Sequence, residues 1–180
     1  MAAPLRFALF DTALGICALG WRDARIAAVH LPDTDAGETR AGVQRRFPGS
    51  VETLPSAEMQ GVVDRIRAFL GGAPADLSDV ALDLDGVPDF HGRVYAALLE
   101  VPRGSTTTYG DLAARIGEPG AARAVGWALG RNPVPIIVPC HRVLAAGGRT
   151  GGFTAPGGAM TKLRLLAIEG AAPMGQPSLF

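Results

Sequence analysis

The stretch Ile136–Val143, "IIVPCHRV", sets a thiol directly beside an imidazole in apolar surroundings and behind a proline. The thiolate is the reactive form of cysteine, and a free thiol is only slightly ionised near pH 7, so a nucleophilic cysteine gains from a neighbouring base. A buried structural cysteine has no such need. If the stretch is an extended strand, Cys140 and His141 point to opposite faces and need not touch. The residues suit nucleophilic chemistry, and the elements around them must say what the thiol attacks.

Those elements divide at about residue 88. Upstream, "FALFDTALGICALGWRDARIAAVHLP" mixes apolar runs with short polar breaks, which predicts a strand meander with tight turns. Met59, Val62, Val63, Ile66, Phe69 and Leu70 recur at helical spacing, with Ser56 as the cap and Gly71-Gly72 as the stop. "VALDLDGV" alternates Val80, Leu82 and Leu84 with polar partners, predicting a further strand. The Pro88 region reads as a linker. Cys17 is most simply a small buried hydrophobe.

Downstream, Phe90, Val94, Ala97, Leu98 and Val101 share one helical face. A helix over Tyr109–Ile116, a Gly-Glu-Pro-Gly turn and a second helix over Ala121–Gly130 make a helix-turn-helix pattern. DNA readers use such a pair, and so do ordinary bundles. The second helix carries Ala121, Ala122, Ala124, Gly126 and Ala128 around one long cation, Arg123. Small residues permit close packing on a neighbouring helix. A single guanidinium projecting from so bare a face also suits a nucleic-acid groove, where it can stack in the space a base has left.

Composition bounds the possibilities. The chain has 180 residues, 48% hydrophobic and 19% charged, as expected of a globular protein of one domain or two small ones. No apolar run approaches the roughly 18 to 20 residues of a membrane span, and "MAAPLRFALF" lacks the charge order of a secretory signal. Two cysteines and three histidines, with no CxxC pair, exclude a disulfide framework and make neither a structural zinc site nor any other metal centre expected. A reducing, cytoplasmic setting follows. The net charge is zero but uneven: nine arginines face 14 carboxylates up to Pro102, and eight cations face three carboxylates from Arg103 onward. The basic half suits a phosphate backbone, or is an ordinary solvated surface.

"TYGDLAARIGEPGAARAVGWALGRNPVPIIVPCHRV", followed by "GG" and "KLRLLAIEGA", closely resembles the methylated-DNA–protein-cysteine methyltransferases, the O6-alkylguanine repair proteins. The resemblance spans about Phe90 to Ala171 and carries the PCHRV pentad, the AARAVG helix and the NPVP approach in the family's order. It implies an α+β protein in three parts. Residues 1–88 form a small antiparallel sheet with a helix. Residues 89–171 form a helical, winged-helix-like domain with the helix-turn-helix and the active site, and 172–180 form a tail.

The resemblance also implies the chemistry. Cys140 takes the alkyl group from guanine O6 by in-line attack and is spent. His141 is the base, acting through a bridging water, and Glu169 holds the imidazole. Tyr109 donates to the guanine ring as the alkyl group leaves, a role worth about 10²- to 10⁴-fold. Asn132 and Pro135 shape the turn before the acceptor, with Asn132 bonding backbone across it. The carbonyls of Cys140 and Val143 accept from the guanine amino group. Arg123 enters the duplex as the damaged nucleotide flips out, while Ala121, Ala122 and Gly126 fit the helix to the minor groove. The implied partner is double-stranded DNA containing O6-alkylguanine, met by a monomer without cofactor or membrane.

Phe153 stands where the family commonly has tyrosine, and the loop to Lys162 is longer than usual. The zinc ligands of some relatives are unmatched, because only Cys17 and His30 are candidates. Sensors that bind alkylated DNA without repairing it replace the cysteine that this chain keeps. A thiol hydrolase built on Cys140 and His141 lacks an oxyanion-hole motif.

Overall fold

Tight turns break the apolar N-terminal stretch into β1 (Arg6–Thr12), β2 (Gly15–Arg22) and β3 (Arg25–His30), paired antiparallel as the meander predicts. The computed structural model describes residues 3–171, so the tail at 172–180 lies outside the described residues. In the β2–β3 turn, Asp23 takes φ 51°, a left-handed conformation that Asp tolerates better than most side chains. Successive side chains of β1 face opposite ways. Phe7 and Leu9 pack in a cluster with Val43 of α1 (Ala36–Arg46), whereas Phe10 lies under Arg67 of α2 (Ala57–Leu70), 5.9 Å from the guanidinium. A sheet covered on both faces is apolar on both, so these strands read as continuous runs. A two-residue strand, β4 (Val51–Glu52), extends the meander by pairing parallel to β1.

Ser56 caps α2 through the Met59 amide, and the six apolar residues of its periodic stripe are all buried, as the spacing predicts. The helix α1 carries no such stripe: only Thr39, Gly42 and Val43 are buried, and Asp35 caps it through the Glu38 amide. The predicted strand at "VALDLDGV" is corrected to a single bridge between Leu82 and Ile26. Asp83 there turns its carboxylate to Arg22, 3.1 Å away, and to the Asp85 amide. That local bond bends the chain where a strand would continue.

The chain forms two compact units, one of residues up to Asp85 with Pro133–Ile137, the other of Gly86–Asn132 with the chain from Val138 onward. Pro133 joins the first unit by accepting from the Val29 amide. Buried Ile136 there has φ 75°, which for a β-branched residue costs on the order of 1–3 kcal/mol and persists only where the surroundings impose it.

In the second unit Pro88, read as part of a linker, is the N-cap of α3 (Asp89–Leu99). Beyond it come β5 (Thr107–Thr108), α4 (Tyr109–Arg115) and α5 (Ala122–Gly130). The turn between α4 and α5 contains Gly117 and Gly120 at φ 77° and 92°, a region that disfavours other residues. Leu98, Leu112 and Val125 are fully buried where the three helices pack together. The Tyr95 hydroxyl, from inside that core, donates to Ala128 O at 2.8 Å and fixes α5 against α3. After α5 the unit resumes with a 3₁₀ turn (Cys140–Arg142), β6 (Val143–Leu144) and α6 (Gly158–Ile168). β5 and β6 pair in parallel, Thr107 with Val143 and Thr108 with Leu144. That pairing brings the start of α4, and Tyr109 with it, beside the Cys140 turn.

Tyr95→Phe removes one buried hydrogen bond and leaves Ala128 O its bond from the Arg131 amide. Equilibrium urea unfolding should show a loss of about 1 kcal/mol at unchanged m-value. A loss near zero would mean that the hydroxyl does not hold α5.

Candidate active site

Cys140 and His141 stand on a 3₁₀ turn and not on an extended strand. Pro139 lacks an amide to donate to a sheet. Its carbonyl instead accepts from the Arg142 amide, the Cys140 amide bonds Val138 O, and the Val143 amide closes back on Cys140 O. Asn132 straps the approach, its side-chain amide donating to Val138 O at 2.8 Å. It also hydrogen-bonds the Cys140 side chain.

The imidazole and its carboxylate are buried together. His141 Nε2 is 2.8 Å from Glu169 Oε1, and neither side chain has exposed surface. Glu169 caps the C-terminus of α6. Arg142 forks onto the same carboxylate, with Nη2 2.7 Å from Oε1 and Nε 3.0 Å from Oε2, and its Nη1 donates to Val101 O at 2.6 Å. Burial alone would raise the Glu169 carboxyl, but the bonds and charges of His141 and Arg142 outweigh it and hold the group at about 2. Glu169 is therefore ionised at neutral pH and can only accept, so His141 carries its proton on Nε2. Burial pushes His141 below its ordinary 6.5, against the pull of Glu169. Its other nitrogen, Nδ1, thus holds a lone pair at neutral pH, as a base requires.

The thiol is a thiol, not a thiolate. Burial raises Cys140 above its ordinary 9.0, offset in part by the Asn132 bond and the charge of Lys162. Lys162 is fully buried, and burial lowers it to about 8, against the pull of Cys140. Its Nζ donates to Val143 O at 2.6 Å and Gly152 O at 3.3 Å and lies 5.8 Å from the centre of the Tyr109 ring. Tyr109 also donates to Gly152 O, at 3.4 Å. Burial, then the charge of Cys140, raises the phenol above 10, so it keeps its proton to donate. By contrast Cys17 is driven up to about 12 by burial, despite its hydrogen bond with Thr12, and stays a thiol.

Cys140 opens into a cavity of about 230 Å³ lined by Tyr109, Gly126, Leu129, Gly130, Gly152, Phe153 and Thr154. The loop that supplies Phe153 is tied to α5 by Thr154 Oγ1, which donates to Gly130 O at 3.1 Å. Gly157, at φ 81°, caps α6, and a Cβ there would collide with Thr161 Oγ1.

Of the residues singled out in the sequence, Cys140, Tyr109, Gly126 and Phe153 line the cavity. His141 pairs with Glu169, Asn132 straps the turn, and the Val143 carbonyl accepts from Lys162. Arg123 is exposed in the first turn of α5, with half-buried Ala121 as its N-cap and Ala122 as its first residue. Buried Pro135 belongs to the other unit. Arg142 and the buried charge of Lys162 were not anticipated. The signal for Arg142 lay in plain view beside His141, but its partners are 27 and 41 residues away. Among the described residues no group of three or more His, Cys, Asp or Glu is placed to hold a metal ion.

Residues 89–171 match the family model described as the DNA-binding domain of 6-O-methylguanine DNA methyltransferase. The methylated-DNA–protein-cysteine methyltransferase of Mycobacterium bovis is 48% identical over 120 residues, 67% of this chain and 70% of the relative. That of Mycolicibacterium paratuberculosis is 38% identical over 168 residues, 92% of both. The structure of Mycobacterium tuberculosis OGT in complex with DNA superimposes with a TM-score of 0.76 at 36% identity, covering 94% of this chain and 96% of that one. With likeness of this degree along nearly its whole length, the chain belongs to the methylated-DNA–protein-cysteine methyltransferase family.

Proposed function

We propose that this protein is a single-turnover DNA repair transferase that moves the alkyl group of O6-alkylguanine in double-stranded DNA onto Cys140. The observation that carries the reading is the placement of a protonated thiol at the wall of a cavity, beside a turn whose next residue is a neutral, carboxylate-oriented imidazole. The same cavity is lined by Gly126 and Gly130 of α5, the helix from which Arg123 projects.

The guanine enters the cavity after leaving the base stack, because its O6 substituent is out of reach inside a duplex. Arg123 fills the space left behind. The Cys140 proton passes to His141 Nδ1, relayed by water, and the imidazolium so formed is stabilised by Glu169. The sulfur attacks the alkyl carbon, the S–C bond forms as the C–O6 bond breaks, and the electron pair stays on the guanine. Tyr109 donates its proton to the guanine ring and offsets that charge, and the imidazolium of His141 gives up the proton it took, which returns through water to the phenolate. The products are guanine and an S-alkylcysteine, with Tyr109 and His141 restored. No step removes the thioether, so each molecule acts once. The free thiol this demands fits the cytoplasm, and one chain carries the whole site, so a monomer suffices. No described helix is long and apolar enough to cross a membrane.

Incubation with a duplex bearing labelled O6-methylguanine should saturate at about one methyl per protein, located on Cys140 by peptide mass. Cys140→Ala should accept none while still binding the duplex. Label on Cys17, or repeated turnover, contradicts the mechanism.

The rate should depend on pH through the base. His141 titrates below 6.5, so transfer should be level around neutrality and fall about tenfold per pH unit below the depressed value, where the imidazole takes a proton. Single-turnover rates from pH 5 to 9 test this. A rate that climbs tenfold per unit across the whole range would mean that the thiol ionises without His141.

A further inference from the structure

Trp127 is 62% exposed, one of the few large apolar side chains on the described surface. A lone surface tryptophan calls for no explanation, but its setting does. On α5 it follows Arg123 by four residues and precedes Arg131 by four, and the Arg131 guanidinium lies 5.0 Å from the centre of its ring. Its helix neighbours Ala124, Gly126 and Gly130 are small or have no side chain. On a helix bare enough to enter a narrow groove, this stacked pair is the largest projection. It must either prevent close approach or meet the wall of the groove.

The direction of the pair decides what it meets. At about 100° per residue, Gly126 and Gly130 lie on one side of Arg123, about 60° and 20° away, and Trp127 lies about 40° to the other side. The two glycines line the Cys140 cavity. The cavity and the Trp127–Arg131 pair therefore flank Arg123 on opposite sides.

Resting on the reading of Arg123 as the residue that enters the duplex, we propose that Trp127 and Arg131 form a contact for the undamaged strand, Trp127 packing on its deoxyribose and Arg131 pairing with its phosphate. If the cavity side of α5 receives the flipped nucleotide, the strand across the groove faces the other side. Stacked on the indole, the guanidinium is already ordered, so less freedom is lost on binding. The aromatic plate gives the contact area and the cation gives the charge, in a half of the chain with eight cations against three carboxylates from Arg103 onward.

The test uses the full-length protein with a fluorescent duplex containing O6-methylguanine. Trp127→Ala should weaken binding about fivefold or more at unchanged salt dependence. Arg131→Gln should weaken it and lower the slope of log affinity against log salt by about 0.9. Methylphosphonate linkages opposite the lesion should abolish the effect of Arg131→Gln, whereas the same linkages in the damaged strand should leave it intact. The reverse dependence on strand, or no loss in either variant, overturns the proposal. So does an equal fall in the rate with free O6-benzylguanine, which needs no duplex, since that would mark damage to the cavity. A self-association lost in Trp127→Ala by sedimentation, with DNA affinity unchanged, would assign the pair to a second copy instead. Thermal melting confirms that each variant is folded. Failure of the parent protein to take up methyl label refutes the repair reading itself and is separate from all these outcomes.

Discussion

One buried carboxylate organises the active unit. Glu169 ends α6, orients the imidazole of His141 and is gripped by Arg142, whose remaining arm holds the carbonyl of Val101 just beyond α3. The end of α6 and the Cys140 turn thereby meet on two oxygens, and Arg142 ties both to the chain just beyond α3. Burying a charge is costly unless it is paired, and removing one partner of such a cluster typically costs about 3–5 kcal/mol. The arrangement adds little net stability compared with an apolar core. What it supplies is a fixed tautomer: a carboxylate that can only accept forces the imidazole proton onto one nitrogen and leaves the other for catalysis.

A second buried charge acts on the thiol. Lys162 donates to carbonyls of the acceptor segment and of the cavity loop, and it lies near the face of Tyr109. It thus joins the wall of the cavity to the nucleophile and lowers the cost of ionising the sulfur. Burial works against ionisation, and the balance leaves a thiol at rest. That suits a protein whose one reactive group can be used once. A standing thiolate would be spent on any electrophile, whereas a protonated thiol beside a neutral base becomes reactive when substrate is aligned.

Much of this was legible in the sequence because it is local. The meander is punctuated by turn residues, α2 has its cap and six apolar positions in period, and α4 and α5 are separated by a turn rich in glycine. The helix α1 was not legible, since its buried residues include a threonine and a glycine and leave no apolar stripe. The alternation of "VALDLDGV" mimics a strand, but Asp83 bonds to its own neighbour two residues on and stops the ladder after one bridge. The 3₁₀ turn at Cys140 has no local signature, since the apolar residues before it suit an extended strand equally well. At the site, Cys140, His141 and Glu169 came from the family's motifs. The roles of Arg142 and Lys162 depend on partners far along the chain, and no local pattern encodes them.

Before substrate arrives His141 is a neutral base with its proton on Nε2, held there by Glu169, while Cys140 stays protonated. The most direct measurement is a titration of the ¹⁵N-histidine-labelled protein by long-range ¹H–¹⁵N NMR. At pH 7 His141 should be the neutral Nε2–H tautomer, titrating below 6.5. An imidazolium at pH 7, balanced by a Cys140 thiolate, would contradict it.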